Sequence, residues 1–274
     1  MFKTRVISGI IVAVVMFSAL WAGGIWLLAL LLFCSVVGLY EFYHAVGLLK
    51  EKEYISPLTG VGYAGAICLY SAQLIFPGEY MFVLFITVIV LLVILGMYVF
   101  TFPKYEVGQI VNAFFGYFYV PVMLSFIMLT RNLENGIYIV WLIFLSSWFC
   151  DVFAYFTGML LGKHKLAPVL SPKKSIEGAV GGVVFPALFG GLYGYFVSGF
   201  IGGDFPTVPA FCIICAVGAA VSQIGDLSAS AIKRNRDIKD YGTIIPGHGG
   251  ILDRFDSVIF TSPMIFFISM FFMR

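Results

Sequence analysis

Four aspartates of this 274-residue chain, Asp151, Asp226, Asp253 and Asp256, lie within or at the ends of long apolar stretches. A charge at membrane depth costs roughly 2.5–3.5 kcal/mol even on the most lenient insertion scale, so it usually faces a polar cavity or a partner. Carboxylates are also the hard oxygen ligands that Mg²⁺ prefers. These four side chains are therefore the first candidates for a functional site.

Asp151 and Asp226 each belong to a polar stripe, because polar residues recur at helical i, i+4 spacing around them. The two stripes are Ser147–Asp151–Tyr155 and Ser222–Asp226–Ser230, with Lys233 continuing the second. A polar stripe on an apolar helix indicates a hydrated groove. The alternative is a seam of structural hydrogen bonds between helices.

The segment from residue 230 to 256, SAIKRNRDIKDYGTIIPGHGGILDRFD, interleaves cations, glycines and carboxylates. Glycines let a backbone approach a ligand closely, and successive N–H groups in such a turn can bind an anion. The flanking cations suit phosphate, while Asp253 and Asp256 suit Mg²⁺. The alternative is a surface that faces lipid headgroups.

The composition indicates the class of protein to which these residues belong. Of the chain, 61% is hydrophobic and only 11% is charged. A soluble domain is about 25% charged. A membrane-spanning barrel would alternate apolar and polar residues, whereas the stretch from Met81 to Phe102 is almost uninterrupted in its apolar character. We therefore predict an all-α, polytopic integral membrane protein.

About 20 apolar residues cross a bilayer, which predicts nine transmembrane helices. They lie near residues 5–22, 25–43, 58–76, 80–102, 107–129, 137–161, 178–200, 208–232 and 255–273. With the N-terminus in the cytoplasm, almost all Lys and Arg residues of the loops fall on the cytoplasmic side, as the positive-inside rule requires. The two longest loops of that side, 162–177 and 233–254, are polar and carry the candidate phosphate-binding cations.

We expect a single membrane domain over residues 1–274, with N-terminal helices in 1–130 and the catalytic helices and loops in 131–274. The basic N-terminus precedes an apolar stretch longer than that of a signal peptide, which favours a first membrane helix over a cleaved signal. The net charge of +2 gives no reason to expect a nucleic-acid partner. The five cysteines lie in apolar runs and are interpreted as small buried hydrophobic residues rather than as disulfide or metal ligands.

Three motifs make the chain resemble the phosphatidate cytidylyltransferases, also called CDP-diacylglycerol synthases. They are the segment 230–256, which matches the family signature without departure, SPKKSIEG at 171–178 and DVFAYFTG at 151–158. The resemblance implies the reaction of CTP with phosphatidate to give CDP-diacylglycerol and pyrophosphate. It also implies Mg²⁺, with K⁺ as a possible second cation, a homodimer, and a site on the cytoplasmic face of the cell (inner) membrane.

The resemblance assigns Asp226 and Asp253 as metal ligands, and we place Asp151 and Asp256 near the metal. Phosphate binding and catalysis are assigned to a further set of residues, whose division between nucleotide and lipid stays open: Lys173, Lys174, Ser175, Lys233, Arg234, Lys239, Gly249, Gly250 and Arg254. His248 either orients a phosphate, acts as an acid or stabilises the turn. Glu41 and His44 form an i, i+3 pair at the cytoplasmic end of the second predicted helix, and we interpret this pair as interfacial structure.

Two other functions remain open from the residues alone. A CTP-dependent lipid kinase would also need a membrane, Mg²⁺ and a nucleotide, but its lipid would attack the γ-phosphorus. A secondary transporter would use midplane carboxylates to carry ions. The concentration of charge at one face, without a pair of broken helices, is not typical of a transporter.

Overall fold

The computed structural model describes residues 2–50, 52–201, 206–244 and 249–272, and these residues form long helices and one short hairpin. The helices are α1 (Phe2–Ala22), α2 (Gly24–Ala45), α3 (Pro57–Ile75), α4 (Met81–Phe100), α5 (Val107–Tyr117), α6 (Met123–Arg131), α7 (Gly136–Ile139), α8 (Trp141–Leu161), α9 (Ile176–Val197), α10 (Thr207–Asn235) and α11 (Leu252–Phe272). Strands β1 (Lys165–Ala167) and β2 (Ser171–Ser175) pair antiparallel.

Eight helical stretches in the described part of the chain are long and apolar enough to cross a membrane. A ninth apolar helix, α1, precedes them. The fifth span combines α5 and α6 through a π-helical turn at Phe118–Val122, where Pro121 cannot donate a backbone hydrogen bond. The sixth combines α7 and α8. The predicted all-α, multi-pass membrane fold is confirmed, and each of the nine predicted helices corresponds to one of these stretches.

The chain divides into two compact units. Unit 1 comprises residues 1–129 and 236–255, and unit 2 comprises residues 130–235 and 256–274. In unit 1, Tyr43 of α2 packs between small residues of α3 and α5, and its hydroxyl donates to the carbonyl of Ala113 over 3.1 Å. A Cβ at Gly116 would lie 2.7 Å from the Tyr43 ring. This close packing anchors the half of α2 that carries Glu41.

Unit 2 is built around the glycine-rich helix α9. A Cβ at Gly182 would lie 3.0 Å from the Ala154 side chain of α8, and one at Gly190 would lie 2.7 Å from the Phe211 carbonyl of α10. Small residues at such positions let membrane helices approach closely, where van der Waals packing holds them together. The stripes of α8 and α10 are thereby brought beside the N-terminal part of α9.

The two polar loops are shorter than the sequence predicted. Residues 165–175 of the first form the hairpin, and Glu177 already lies in the first turn of α9. In the second, α10 continues to Asn235, so Lys233 and Arg234 are in its last turn. Basic side chains are favourable at that end of a helix because they complement its macrodipole. Asp253 lies in the first turn of α11 rather than in the loop. An acidic side chain is favourable there because the N-terminal end of the helix dipole is positive.

The cysteines are free, and the prediction that all are buried is only partly right. Cys34, Cys150 and Cys215 are buried, whereas Cys68 is exposed and Cys212 is intermediate. The Cys212 thiol donates to the carbonyl of Ala187 over 3.1 Å. An apolar run predicts contact with either lipid or protein, and the sequence could not distinguish the two.

Candidate active site

A pocket of about 420 Å³ opens in unit 2 between α8, the hairpin, α9 and α10. This volume is within the range of small-molecule sites, roughly 300–1,000 Å³. Its lining includes the predicted site residues Asp151, Lys173, Lys174, Ser175 and Asp226, together with the polar side chains of Tyr155 and Gln223. Asp151, Tyr155 and Asp226, which belong to the two predicted polar stripes, therefore lie on the wall of one pocket.

Ser175 fixes the junction between β2 and α9. Its hydroxyl accepts the backbone N–H of Gly178 over 3.1 Å and so caps the helix. A Cβ at Gly158 would lie 2.9 Å from the same oxygen, so α8 can pass close to the cap only because that residue is glycine. In this structure Ser175 orients the strand that carries the two lysines.

Glu177 holds the other end of the hairpin. Its carboxylate accepts the backbone N–H of Lys163 over 3.0 Å and that of His164 over 3.2 Å. It also pairs with Nδ1 of His164 at 2.6 Å. Three contacts from one carboxylate therefore join the start of the hairpin to the first turn of α9.

Lys174 lies in the pocket and its ammonium donates to Oδ2 of Asp226 on α10. The two side chains are 30% and 29% exposed, so the pair is only partly screened by solvent. Lys173, its neighbour on β2, is exposed and also lines the pocket. The arrangement gives the pocket adjacent cations and carboxylates, as a site for phosphates and a divalent metal requires.

Asp256 approaches the same part of α10. A Cβ at Gly225, next to Asp226, would lie 2.8 Å from the backbone carbonyl of Asp256. The Asp256 side chain is close enough to interact electrostatically with Asp226, Lys233 and Asp151. Its Oδ1 accepts the N–H of Ser257 over 2.7 Å.

The oxygen donors of unit 2 fit Mg²⁺. Mg²⁺ is usually bound by one or two carboxylates together with substrate phosphates and water. Asp226 and Asp256, whose charges interact, would provide such a pair. Across the described ranges, no group of three or more His, Cys, Asp or Glu side chains is placed to hold a metal, so substrate oxygens would have to complete the coordination.

Asp253 lies in unit 1, where it is 7% exposed. Its Oδ2 accepts the backbone N–H of Tyr241 over 2.8 Å and that of Gly250 over 3.0 Å. Gly249 has a φ of +83°, which favours glycine, and a Cβ there would lie 3.0 Å from the same oxygen. The N–H of Gly250, predicted to bind a substrate anion, therefore binds a carboxylate of the protein itself in this structure.

The contacts of Glu41 were not predicted from the sequence. This residue of α2 is 2% exposed, and its two carboxylate oxygens accept the N–H groups of Ile251 and Leu252 over 3.0 and 2.8 Å. His44, its predicted partner, instead bonds through Nε2 to the carbonyl of Glu53. A buried glutamate in an apolar helix is the available signal, but its partners lie 210 and 211 positions away along the chain.

The other predicted cations, Lys233, Arg234, Lys239 and Arg254, are not among the residues that line the pocket. Arg234, Lys239 and Arg254 are exposed, and Lys233 is partly exposed in the last turn of α10. His248 and residues 245–247 lie outside the described residues. The roles assigned to these five side chains stay predictions.

The family model described as "Cytidylyltransferase family" matches residues 3–272, nearly the whole chain. The chain belongs to the cytidylyltransferase family. It is therefore an enzyme, a nucleotidyltransferase, and the transporter interpretation is wrong.

Individual members of the family agree with this result. The chain is 30% identical over 264 residues to a protein of Staphylococcus aureus (strain COL) named phosphatidate cytidylyltransferase, covering 96% of this chain and 97% of the relative. It is 35% identical over 164 residues to a protein of the same name from Rickettsia bellii (strain RML369-C), covering 59% of this chain and 71% of the relative. The first match spans both units and all three motifs of this cytidylyltransferase.

Proposed function

We propose that this enzyme is a phosphatidate cytidylyltransferase, which converts CTP and phosphatidate to CDP-diacylglycerol and pyrophosphate. The observation that carries the proposal is the pocket of unit 2, where Lys173, Lys174 and Asp226 meet among apolar membrane helices. The names of the relatives support the same substrates.

An amphipathic substrate also suits the surroundings of the pocket. A second pocket of about 400 Å³ shares Ala179 and Gln223 with the first and is otherwise lined by aliphatic residues of α9 and α10. Gln223 donates from Nε2 to the carbonyl of Ala179 over 3.0 Å, which fixes the residue that the two pockets share. A phosphate headgroup in the first pocket would leave its acyl chain next to apolar side chains.

The chemistry requires no strong base. A phosphate monoester has a second pKa of about 6, so the lipid phosphate is already a dianion near pH 7. One of its oxygens attacks the α-phosphorus of CTP and forms a new P–O bond, while the bond from that phosphorus to the β-phosphate oxygen breaks. Pyrophosphate leaves with the bonding electrons, and catalysis depends on positioning and neutralisation of charge.

The cations of the pocket have the roles that this reaction needs. Lys174 and Lys173 would bind phosphate oxygens and stabilise the charge that develops on them. Ser175, by capping α9, sets the direction of the strand that carries both lysines. Asp226 holds the Lys174 ammonium in place before the substrates bind.

Asp226 and Asp256 would hold Mg²⁺, and when bound it would neutralise the phosphates and orient them for in-line attack. Asp253 in unit 1 stays a proposed ligand, as the family resemblance implies, and K⁺ stays a proposed second cation. Lys233, Lys239, Arg234 and Arg254 remain proposed phosphate-binding residues.

The distribution of Lys and Arg among the loops supports a cytoplasmic N-terminus, with the hairpin and its pocket at the cytoplasmic face of the cell membrane. We also expect a homodimer, as the resemblance implies. Labelling of single-cysteine variants from either side of intact membranes tests the orientation. Lys165→Cys should react from the cytoplasmic side.

The experiment that tests the function uses the purified full chain with Mg²⁺, phosphatidate and CTP carrying ³²P at either the α or the γ position. Label from the α position should appear in the lipid, and label from the γ position should appear in pyrophosphate. Transfer of γ label to the lipid would establish a lipid kinase instead. Absence of any lipid product in folded protein would refute both activities.

A further inference from the structure

Two buried carboxylates of unit 1 bind three consecutive backbone N–H groups at the start of α11. Asp253 accepts from Gly250 over 3.0 Å, while Glu41 accepts from Ile251 over 3.0 Å and from Leu252 over 2.8 Å. The first N–H groups of a helix have no partner within the helix, and a negative charge there is favourable. The start of α11 is therefore held by side chains of two different helices, α2 and α11 itself.

The same two carboxylates also hold the chain on the other side of residues 245–248. Asp253 accepts the N–H of Tyr241 over 2.8 Å. A Cβ at Gly242 would collide with the carboxylate of Glu41, and one at Gly250 would lie 2.5 Å from both of its oxygens. We call residues 242–250 the glycine-rich segment. Gly242 and Gly250, at its two ends, both pack directly against Glu41.

We infer that Glu41 is a positioning residue for cytidylyl transfer, which sets the backbone of residues 241–242 and 250–252 and thereby the place of Asp253. The inference rests on the proposed function, because the residues that Glu41 positions belong to the family signature at 230–256. Glu41 acts through that segment and needs no contact with substrate.

The burial of Glu41 supports a purpose beyond stability. A carboxylate that is 2% exposed carries a large desolvation penalty unless it is paired. An apolar residue in α2 would avoid that penalty. Each of its two oxygens accepts one of two adjacent N–H groups, so a single side chain holds the start of α11 at two points.

The test uses Glu41→Gln, which keeps the size of the side chain but replaces one acceptor with a donor. Ser35→Ala is the matched control, because Ser35 is a fully buried residue of the same helix whose hydroxyl bonds to Tyr70 at 2.9 Å. Its partner lies in α3 and not in the glycine-rich segment. Gly242→Ala is a second variant, which displaces the Glu41 carboxylate without removing it.

Two measurements are made on the full-length protein. Hydrogen exchange without CTP, lipid or metal should be at least 5-fold faster for peptides covering 238–244 and 249–255 in Glu41→Gln and Gly242→Ala, and unchanged there in Ser35→Ala. Steady-state kinetics with CTP, phosphatidate and Mg²⁺ should show kcat reduced at least 10-fold in the first two variants, with KM for CTP changed less than 3-fold.

Wild-type exchange in both segments, or a kcat within 2-fold of that of Ser35→Ala, would overturn the inference. If Glu41→Gln does not yield folded protein, the same criteria applied to Gly242→Ala decide. A wild-type enzyme that makes no CDP-diacylglycerol would refute the proposed function. The exchange result would still decide whether Glu41 positions the segment.

Discussion

The Lys174 ammonium contacts Oδ2 of Asp226, an ion pair that joins β2 to α10 across 52 positions of the sequence. Asp226 is one of the two carboxylates, with Asp253, that the family resemblance assigns to metal binding. The charge of Asp226 is balanced by a side chain of the hairpin. Arrival of a metal–nucleotide complex would supply another cation for Asp226 and leave Lys174 available to phosphate.

Replacing Lys174 with Met should strongly reduce activity, because Met retains the apolar length of the side chain and removes the charge. A hydrogen bond to a charged group contributes about 1.5–3 kcal/mol, so kcat/KM for CTP should decrease roughly 10- to 100-fold. Lys165→Met is the control, since Lys165 is an exposed residue of the same hairpin that does not line the pocket. Equal kcat/KM values in the two variants would contradict a phosphate-binding role for Lys174.

Asp226→Asn should abolish most turnover while the protein still inserts into the membrane, because the substitution removes charge with little change in size. We expect a decrease in kcat of at least 100-fold. Asp237→Asn makes the same change at an exposed position just beyond α10 and should be near neutral. Wild-type-like CTP turnover in Asp226→Asn would show that the ligand has been wrongly chosen.

The double variant Lys174→Met/Asp226→Asn separates catalysis from stability. If the ion pair serves only to balance two charges, removing both partners should restore what either single variant loses. If both side chains act on the substrates, the double variant should be as inactive as the worse single variant. Thermal stability and turnover measured on the same samples distinguish these results.

The sequence predicted what depends on local periodicity. Long apolar runs located the nine apolar helical stretches of the described residues, and i, i+4 spacing singled out Asp151 and Asp226, which both line the pocket. The residues 162–177, by contrast, gave no strand alternation, so the hairpin of Lys173 and Lys174 was predicted only as a loop. Its shape depends on capping by Ser175 and on contacts of Glu177 with residues 13 and 14 positions away.

Glu41 shows the limit of such reasoning. Its spacing to His44 indicated an interfacial pair, whereas its actual partners are backbone N–H groups more than 200 residues away. Backbone donors leave no mark in a sequence, and every non-proline residue has one. The glycines at 242 and 250 were visible, but the carboxylate that requires them was not.

Glu177→Gln should weaken substrate binding more than it slows the chemical step. The amide cannot form the charged contact with His164, and it loses an acceptor for the N–H groups of residues 163 and 164. The hairpin should become more mobile, so that the lysines on β2 must be ordered when substrate binds. We expect KM for CTP to rise roughly 5- to 20-fold with kcat within about 3-fold of wild type.

The control for this prediction is Glu134→Gln, because Glu134 is an exposed residue of the same unit. Steady-state kinetics of both variants over a range of CTP concentrations provides the comparison. An unchanged KM in Glu177→Gln, or an equal increase in Glu134→Gln, would mean that the contacts of Glu177 with residues 163 and 164 do not position the lysines.

Gly190→Ala should destabilise unit 2 without altering its chemistry. The new Cβ would lie 2.7 Å from the Phe211 carbonyl and 2.5 Å from the Cys215 sulfur, so α9 and α10 would have to separate. Overpacking of this kind typically costs about 1–3 kcal/mol.

Gly96→Ala in α4 is the matched control, since a Cβ there meets nothing within 4 Å. The thermal midpoint, measured by the loss of monodisperse protein after heating in detergent, should decrease by several degrees for Gly190→Ala and not for Gly96→Ala. Since Gly190 does not line the pocket, turnover measured well below the midpoint should stay within about 3-fold of wild type, and equal midpoints in the two variants would contradict the close packing of α9 against α10.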